Sequence, residues 1–257
     1  MGLQVFELLG KKVIYMLETI GQLIILTGQT GWHLLHGKRR YGNTIRQMSH
    51  LGVDTLPIVL LTMLFTGMVM TVQTAQEFLK YGAGSTVGGV IALAMGRELG
   101  PVLTGVVAAG RVGAAIAAEI GSMKVTEQID ALRVMATNPV AYLVVPRVAA
   151  CIVMVPMLVI FADAIGTFGG FFVATQYYGL SAHTFSSSIT NFAVMNDITG
   201  GLIKAAVFGF IIAIIGCYKG LNAGGGAEGV GHATTGSVVT AIVMIFVSNY
   251  FLSLMLF

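Results

Sequence analysis

Five long apolar segments dominate the pattern of hydrophobic and polar positions along the chain. They are residues 56–74, 85–110, 148–175, 198–218 and 234–257. Each segment has about the 20 apolar residues that an α-helix needs to cross a bilayer. The ten-residue alternating segments of a transmembrane β-barrel are missing from the sequence. The pattern therefore predicts an all-α integral membrane protein with five transmembrane helices, forming a single domain over residues 1–257.

The N-terminal region, residues 1–50, has a different pattern. From Leu3 to Ile24, apolar residues recur at steps of three and four, with polar residues between them. Lysines lie nearby, and a basic run follows at 38–40. Such a segment is typical of an amphipathic helix that lies in the headgroup plane. The alternative is a sixth transmembrane helix over residues 15–35.

Composition supports the membrane assignment. Hydrophobic residues make up 56% of the 257 residues and charged residues 10%, and the mean hydropathy is +0.86. These values exclude a disordered chain and an ordinary soluble enzyme. The net charge of +3 is too small for a nucleic-acid-binding protein. Cys151 and Cys217 lie inside apolar runs, so we interpret them as packing residues.

The distribution of positive charge predicts the orientation. With the N-terminus inside, eleven of the fourteen Lys and Arg residues fall on the inner side and only Lys80 falls on the outer side. The remaining two, Arg97 and Lys204, lie within the apolar segments. Because inner loops carry an excess of Lys and Arg, we expect a cytoplasmic N-terminus and a periplasmic C-terminus.

Ionisable residues inside the second apolar segment are candidates for a site. Arg97 and Glu98 come directly before Gly100 and Pro101. Proline crowds the carbonyl four residues before it, that of Arg97, so we expect a helix kink with a freed carbonyl. One interpretation is a polar site that faces a ligand headgroup or a partner helix. The other is a self-satisfied ion pair that fixes the kink.

Two further charged positions lie in later segments. Lys204 follows Asp197 by seven residues, close to two helical turns, so both project from one face. We expect Asp197 near the outer surface and Lys204 deeper, either on a polar face shared with Glu98 or snorkelling to the interface. Asp163 precedes several small residues and is interpreted as a hydrogen-bonding packing residue.

The inner loop, residues 122–139, predicts a short amphipathic helix. Thr126 is the predicted N-cap, acidic residues occupy the first turn, and Asn138-Pro139 ends the helix. Its predicted apolar edge consists of Ile129, Leu132, Met135 and Ala136. The helix either packs on its own protein or docks into a groove of another protein.

The sequence contains no recognisable nucleotide-binding, metal-binding or catalytic motif. It has no G-x-x-x-x-G-K-[ST] phosphate loop, so ATP binding is not predicted. His33 and His36 have no further ligand cluster nearby, so no metal site is predicted. Neither a nucleophile elbow nor a catalytic triad is indicated.

Residues 97–147, beginning RELGP and containing TEQIDAL, resemble the signature region of the MlaE/YrbE permeases. The resemblance extends to Asp197-Ile198, to Ile203-Lys204 and to the HATT sequence at 232–235. These permeases are the membrane subunits of ABC transporters that move phospholipids or related lipids for MCE-protein systems. The resemblance implies a transport subunit without its own enzymatic activity, with five membrane spans and an interfacial N-terminal helix.

The resemblance also implies partners. They would be a second copy in a homodimer, a cytoplasmic ABC ATPase that carries ATP and Mg²⁺, a periplasmic MCE-domain protein and, in some members, a STAS-domain protein. A lipid pocket would form at the dimer interface. We expect a multi-pass protein of the bacterial inner membrane, because a plastid transit peptide is not evident.

Site residues follow from matching positions. The resemblance places Arg97, Glu98, Asp197 and Lys204 at the lipid pocket. It assigns contact with the ATPase to Glu127, Gln128, Ile129, Asp130, Leu132 and Arg133. One position departs from the family pattern, because proteobacterial members have an acidic residue in the last helix where this chain has Asn249. A charge partner is therefore missing there.

Two other functions remain open from the residues alone. A self-sufficient channel or proton-coupled carrier would use Glu98 and Lys204 as its relay and would work without ATP. An assembly scaffold would keep the buried charges for structural reasons only.

Overall fold

A computed structural model describes residues 2–36 and 41–257, and every regular element in these ranges is helical. Five of the helices are long and apolar enough to cross a membrane, judged by length and composition. They are Gly42–Lys80, Gly84–Val125, Val140–Gln176, Met195–Leu221 and Gly226–Leu256. The predicted fold class and the predicted number of spans are therefore confirmed.

Several spans are built from more than one helical piece. The α-helices are α1 (Gly2–His36), α2 (Tyr41–Met48), α3 (Leu56–Lys80), α4 (Val87–Ala94), α5 (Gly100–Ala108), α6 (Ala114–Val125), α7 (Gln128–Val134), α8 (Val145–Gln176), α9 (Ala182–Phe192), α10 (Met195–Leu221) and α11 (Gly226–Leu256). Turns of π-helix lie at Ser49–Val53, Met95–Leu99, Ala109–Gly113 and Val140–Val144, and a 3₁₀ turn lies at Gly84–Thr86. The second span thus runs through α4, α5 and α6 with two π-turns between them.

The first helix, α1, is not among the five candidate spans in the described ranges. It contacts α8 and α10 along one side. On that side Leu26 and Thr30 are buried, and Gln22 accepts a hydrogen bond from Tyr218 at 3.0 Å. Apolar residues such as Ile24 face outward. Because α1 does not qualify as a span by length and composition, an interfacial helix is favoured over a sixth span at 15–35.

Helix α10 lies at the centre of the bundle, where it packs against α6, α8 and α11. The main apolar core fills the space between these helices. A second cluster of buried apolar residues joins α3, α4, α8 and α9. Helix α8 contributes to both clusters, so it connects the two halves of the bundle.

Glycines permit the closest helix contacts. A Cβ atom on Gly67 of α3 would collide with the backbone of Gly166 in α8, and a Cβ atom on Gly201 would collide with the carbonyl of Gly96. A Cβ atom on Gly170 would meet the Thr71 hydroxyl. The small residues of α8 therefore serve contacts within one subunit.

Candidate functional site: a charged cluster near one end of the bundle

The helix irregularity predicted at Pro101 takes the form of a π-helical turn. This turn, Met95–Leu99, ends directly before Gly100 and Pro101, which begin α5. Proline has no N–H to donate, so the carbonyl of Arg97 is available for another donor. The Nζ atom of Lys204 donates to that carbonyl at 2.8 Å. The freed carbonyl is therefore present where the sequence predicted it.

Lys204 is fully buried, with 0% of its side chain exposed. Besides the Arg97 carbonyl, its ammonium group donates to Glu98 Oε1 at 2.7 Å and to Ser253 Oγ at 2.8 Å. An ammonium group has three donors, and all three are used here. Lys204 is therefore held inside the bundle and does not snorkel to the interface.

Glu98 receives hydrogen bonds on both carboxylate oxygens. Ser253 Oγ donates to Oε1 at 2.7 Å, and Asn249 Nδ2 donates to Oε2 at 2.8 Å. Asn249 thus contributes an amide hydrogen bond at the position where the family resemblance implied an acid. Its own Oδ1 is buried and finds no hydrogen-bond partner among the described residues.

Arg97 forms its ion pair with Asp197, not with its neighbour Glu98. Its Nε and Nη2 atoms lie 2.8 and 2.7 Å from Asp197 Oδ1. The second carboxylate oxygen accepts the backbone N–H of Val194 at 2.9 Å, at the start of α10. The self-satisfied pair of Arg97 and Glu98 is therefore wrong, because the two residues bind different side chains of α10. Asp197 is buried within the protein, in the first turn of α10.

The C-terminal residue closes one side of this arrangement. The ring of Phe257 lies 4.8 Å from Arg97 Cζ and 5.0 Å from Lys204 Nζ, within the range of cation–π contacts. Gly200 makes room for the ring, because a Cβ atom there would collide with it. We call the group the charged cluster; its members are Arg97, Glu98, Asp197, Lys204, Asn249, Ser253 and Phe257.

The charged cluster is only partly closed. The side chains of Arg97 and Glu98 are 40% and 42% exposed, whereas Asp197 and Lys204 are almost fully buried. Asp197 lies near the beginning of α10 and Phe257 follows the end of α11, so the cluster is at the end of the bundle away from the loop at 122–139. A guanidinium and a carboxylate are thus presented from an otherwise apolar span.

Asp163 lies next to the interrupted helix. A Cβ atom on Gly100 would collide with Asp163 Oδ1. That oxygen is buried and has no hydrogen-bond partner within residues 2–36 and 41–257. The hydrogen bond predicted for Asp163 is therefore not formed through this atom.

The inner loop contains a shorter helix than predicted. Helix α7 covers only Gln128–Val134, and Glu127 precedes it with φ = 60°. Thr126 is not its N-cap but the C-cap of α6, and its hydroxyl donates to the Ser122 carbonyl at 2.8 Å. Ala136 also has a positive φ, 54°. The short helix is thus bracketed by two non-glycine residues in the left-handed region, an arrangement that stores strain.

The two faces of this loop differ in exposure. Ile129 is buried and Leu132 is partly buried against the main core. Asp130 pairs with Lys124 at 3.1 Å and with Arg133 at 3.0 Å. Glu127, Gln128 and Arg133 are exposed. Val134 and Met135 are 89% and 66% exposed, so the predicted continuous apolar edge is wrong, and the outward apolar surface is at the end of α7.

A bundle of five apolar spans defines a polytopic membrane protein. The family model for permease MlaE matches residues 44–255, most of the chain. The chain therefore belongs to the MlaE family of ABC transporter permeases.

Curated relatives agree with this assignment. The chain is 50% identical over 232 residues to a probable ABC transporter permease protein of Synechocystis, which covers 90% of this chain and 88% of the relative. It is 40% identical over 257 residues to a probable ABC transporter permease protein of Rickettsia bellii, covering 100% and 99%. It is also 41% identical over 229 residues to the chloroplastic protein trigalactosyldiacylglycerol 1 of Arabidopsis thaliana, covering 89% and 65%.

Proposed function

We propose that this permease moves phospholipid or a related lipid between the inner membrane and a periplasmic MCE-domain protein, driven by ATP hydrolysis on a partner ATPase. The observation that carries the proposal is the charged cluster, where Arg97 and Glu98 are partly exposed in an apolar span. The Arabidopsis relative is named after a lipid, trigalactosyldiacylglycerol, which supports the substrate class.

The two cations of the charged cluster, Arg97 and Lys204, have different roles. Arg97 is 40% exposed and uses Nε and Nη2 for Asp197, so the open edge of its guanidinium faces a lipid phosphate. Lys204 is fully buried with three acceptors, so it holds Glu98 and the π-turn in place and does not bind the headgroup. This differs from the role that the sequence suggested for Lys204.

The orientation follows from the Lys and Arg asymmetry, with a cytoplasmic N-terminus and a periplasmic C-terminus. The charged cluster then faces the periplasmic half and α7 faces the cytoplasm. We place the protein in a bacterial inner membrane. A homodimer with the lipid pocket between the copies fits the apolar surface of α11, and a STAS-domain protein is a further candidate subunit. The exposed residues of α11 include Val239, Val243, Phe246, Tyr250, Phe251 and Leu254.

Helix α7 is the proposed contact with the ATPase. Its outward surface combines Glu127, Gln128 and Arg133 with the exposed apolar pair Val134 and Met135. Ile129 and Leu132 pack α7 against the permease core. A displacement of α7 by the ATPase would therefore be transmitted to α6 and, through the core, to α10. ATP and Mg²⁺ belong to the partner, and closure of two ATPase subunits would move the spans at the dimer interface.

If the ATPase docks on α7, the substitution Val134→Asp should weaken ATPase binding. Docking would bury the new carboxylate in an apolar contact without a partner, so we expect about tenfold less ATPase to co-purify. Tyr81→Asp is the matched control, since Tyr81 is 83% exposed in the loop between the first two spans. Equal recovery of ATPase with both variants would argue against docking through α7.

The lipid role is tested by mass spectrometry of lipids retained by the purified transporter complex. Arg97→Gln removes the charge-assisted contact with the phosphate and also leaves the buried Asp197 without its cation, so we expect at least about tenfold less phospholipid to be retained and a lower melting temperature. Arg97→Lys should recover both in part. Lys80→Gln, at an exposed lysine near the same end, serves as the control. A complex without lipid, or transport by the permease alone in liposomes without ATP, would contradict the proposal; the latter would favour a proton-coupled carrier.

A further inference from the structure

A polar cavity lies at the opposite end of the bundle from the charged cluster. Its volume is about 590 Å³, within the usual size of a small-molecule site. It is bounded by α2, by the π-turn Ala109–Gly113 with α6, and by the beginning of α8. Arg111 follows Arg97 by fourteen residues along the same span, about 20 Å at the rise of a helix. The two sites are therefore separate.

Three arginines from three different elements line this cavity. Arg46 comes from α2, Arg111 from the π-turn and Arg147 from the first turn of α8. Only two carboxylates, Asp54 and Glu119, lie in the same wall, and both are about half exposed. The lining therefore carries a surplus of positive charge.

Arg147 is the buried one of the three arginines, with only 4% of the residue exposed. Its Nη2 pairs with Glu119 Oε2 at 2.8 Å and its Nη1 donates to the Leu143 carbonyl at 2.8 Å. Its Nε is buried and has no acceptor among the residues that the structure describes. Buried donors are nearly always paired, so this unpaired Nε is unusual, and it belongs to a residue that lines the cavity.

The other two arginines are more loosely held. Arg111 donates to Thr55 Oγ1 at 2.8 Å, but its Nη2 is 3.8 Å from Asp54. Arg46 is exposed on α2. A guanidinium has five N–H donors, so both arginines keep donors available for a bidentate anion.

Part of the remaining wall is apolar, although the polar side chains of Asn43, Gln47 and Tyr142 also line the cavity. The apolar wall includes Leu51, Val112, Ile116, Met123 and Leu143. A cavity that combines arginines with apolar side chains fits an anion that is attached to an acyl chain. A soluble anion would gain nothing from the apolar wall.

We propose that this cavity binds the phosphate group of an anionic phospholipid. Arg46 and Arg111 contact the phosphate oxygens, Arg147 supplies the fixed positive charge behind them, and the apolar wall receives the start of the acyl chains. In the proposed orientation the lipid comes from the cytoplasmic leaflet. This goes beyond the proposed function, because the site is independent of Arg97 and of the lipid pocket there.

The test is lipid binding by the purified transporter complex, titrated with dioleoyl phosphatidylglycerol and followed by native mass spectrometry and by thermal stabilisation. Each lost charge-assisted contact is worth about tenfold, so Arg46→Gln should weaken binding about tenfold and Arg46→Gln with Arg111→Gln about a hundredfold. Lys219→Gln removes one charge from the last turn of α10, outside the cavity lining, and should leave the affinity unchanged. Melting without lipid shows that each variant is folded.

Four results would overturn the proposal. Unchanged phosphatidylglycerol affinity in the double variant excludes the cavity as a second lipid site. Stabilisation by inorganic phosphate alone, with no response to the lipid, assigns the arginines to a free anion. Loss of ATPase co-purification with unchanged lipid affinity assigns the cavity to a protein carboxylate. An Arg97 variant that loses lipid while the Arg46 variant keeps it would support the proposed function and reject this site.

Discussion

Replacing Lys204 with methionine should destabilise the folded permease by about 3 kcal/mol, seen as a lower melting temperature in detergent. Methionine has a similar length, so the packing volume is nearly kept, but the Arg97 carbonyl and Glu98 Oε1 lose their shared donor. Breaking a buried ion pair from one side costs about 3–5 kcal/mol. The low end applies because Glu98 is 42% exposed and water can solvate it in part.

The double variant Lys204→Met with Glu98→Gln distinguishes the loss of the ion pair from a general loss of stability. With both charges removed, no carboxylate remains without its cation, and the amide oxygen introduced at position 98 can still accept the hydrogen bond from Ser253. We expect the double variant to recover at least half of the stability lost in Lys204→Met. If the two single losses simply add, the residues are not energetically coupled and our description of the charged cluster is wrong.

Lys80 and Glu77 provide the matched control. Their Nζ and Oε1 atoms are 2.8 Å apart, compared with 2.7 Å in Lys204 and Glu98, but both side chains are 57% exposed. Exposed pairs contribute about 0–1 kcal/mol, so Lys80→Met should change the melting temperature little. The comparison isolates burial as the cause, because the contact distance is almost the same in the two pairs.

The five spans were predictable because continuous apolar sequence has few alternatives in a protein of this length. Their ends were less predictable. The first segment was expected to end at residue 74, but α3 continues to Lys80 through polar residues that include Gln76 and Glu77. Helical hydrogen bonding continues past the apolar part, so hydrophobicity locates the centre of a span better than its end.

Helix α9 (Ala182–Phe192) was not predicted. Its Ser- and Thr-rich sequence has weak intrinsic helix propensity. Tertiary contacts stabilise it, since Phe185 packs against Gly88 and Ser188 Oγ accepts the N–H of Gly89 at 2.9 Å. The signal that marked it was Ser181, whose hydroxyl accepts the Thr184 N–H as an N-cap.

The charged residues of the cluster were predictable, and so was the polar face that Lys204 shares with Glu98. The pairing of Arg97 with Asp197 and two of the uncharged members were not. Rare intramembrane charges pointed to Arg97, Glu98 and Lys204, and the proline pointed to the freed carbonyl. The partners Ser253 and Phe257 are uncharged and come from the end of the chain, Ser253 lying 49 residues after Lys204. Nothing local distinguishes them from other residues of an apolar helix.

Substitution of Gly67 by alanine should be as damaging as loss of Lys204. Helices α3 and α8 pack with Gly67 against the backbone of Gly166, so even one methyl group would collide with main-chain atoms that cannot rotate away. Overpacking costs about 1–3 kcal/mol where side chains can adjust, and here the helices themselves must separate, so we expect about 3 kcal/mol. Melting in detergent measures the effect.

Gly236→Ala is the control for this change. It introduces the same methyl group into the spanning helix α11, where only the end of the Lys219 side chain lies nearby, at 3.9 Å. Its melting temperature should match that of the parent. A harmless Gly67→Ala would mean that α3 and α8 separate without cost.

Separation of α3 and α8 would also change the geometry of the charged cluster. Asp163 lies one turn before Gly166 in α8, and its Oδ1 is packed against Gly100 where the π-turn ends. Displacing α8 towards Gly100 would press on the segment that positions Arg97 and Glu98. We therefore expect Gly67→Ala to lower phospholipid retention as well as stability, whereas a purely local packing defect would change stability alone.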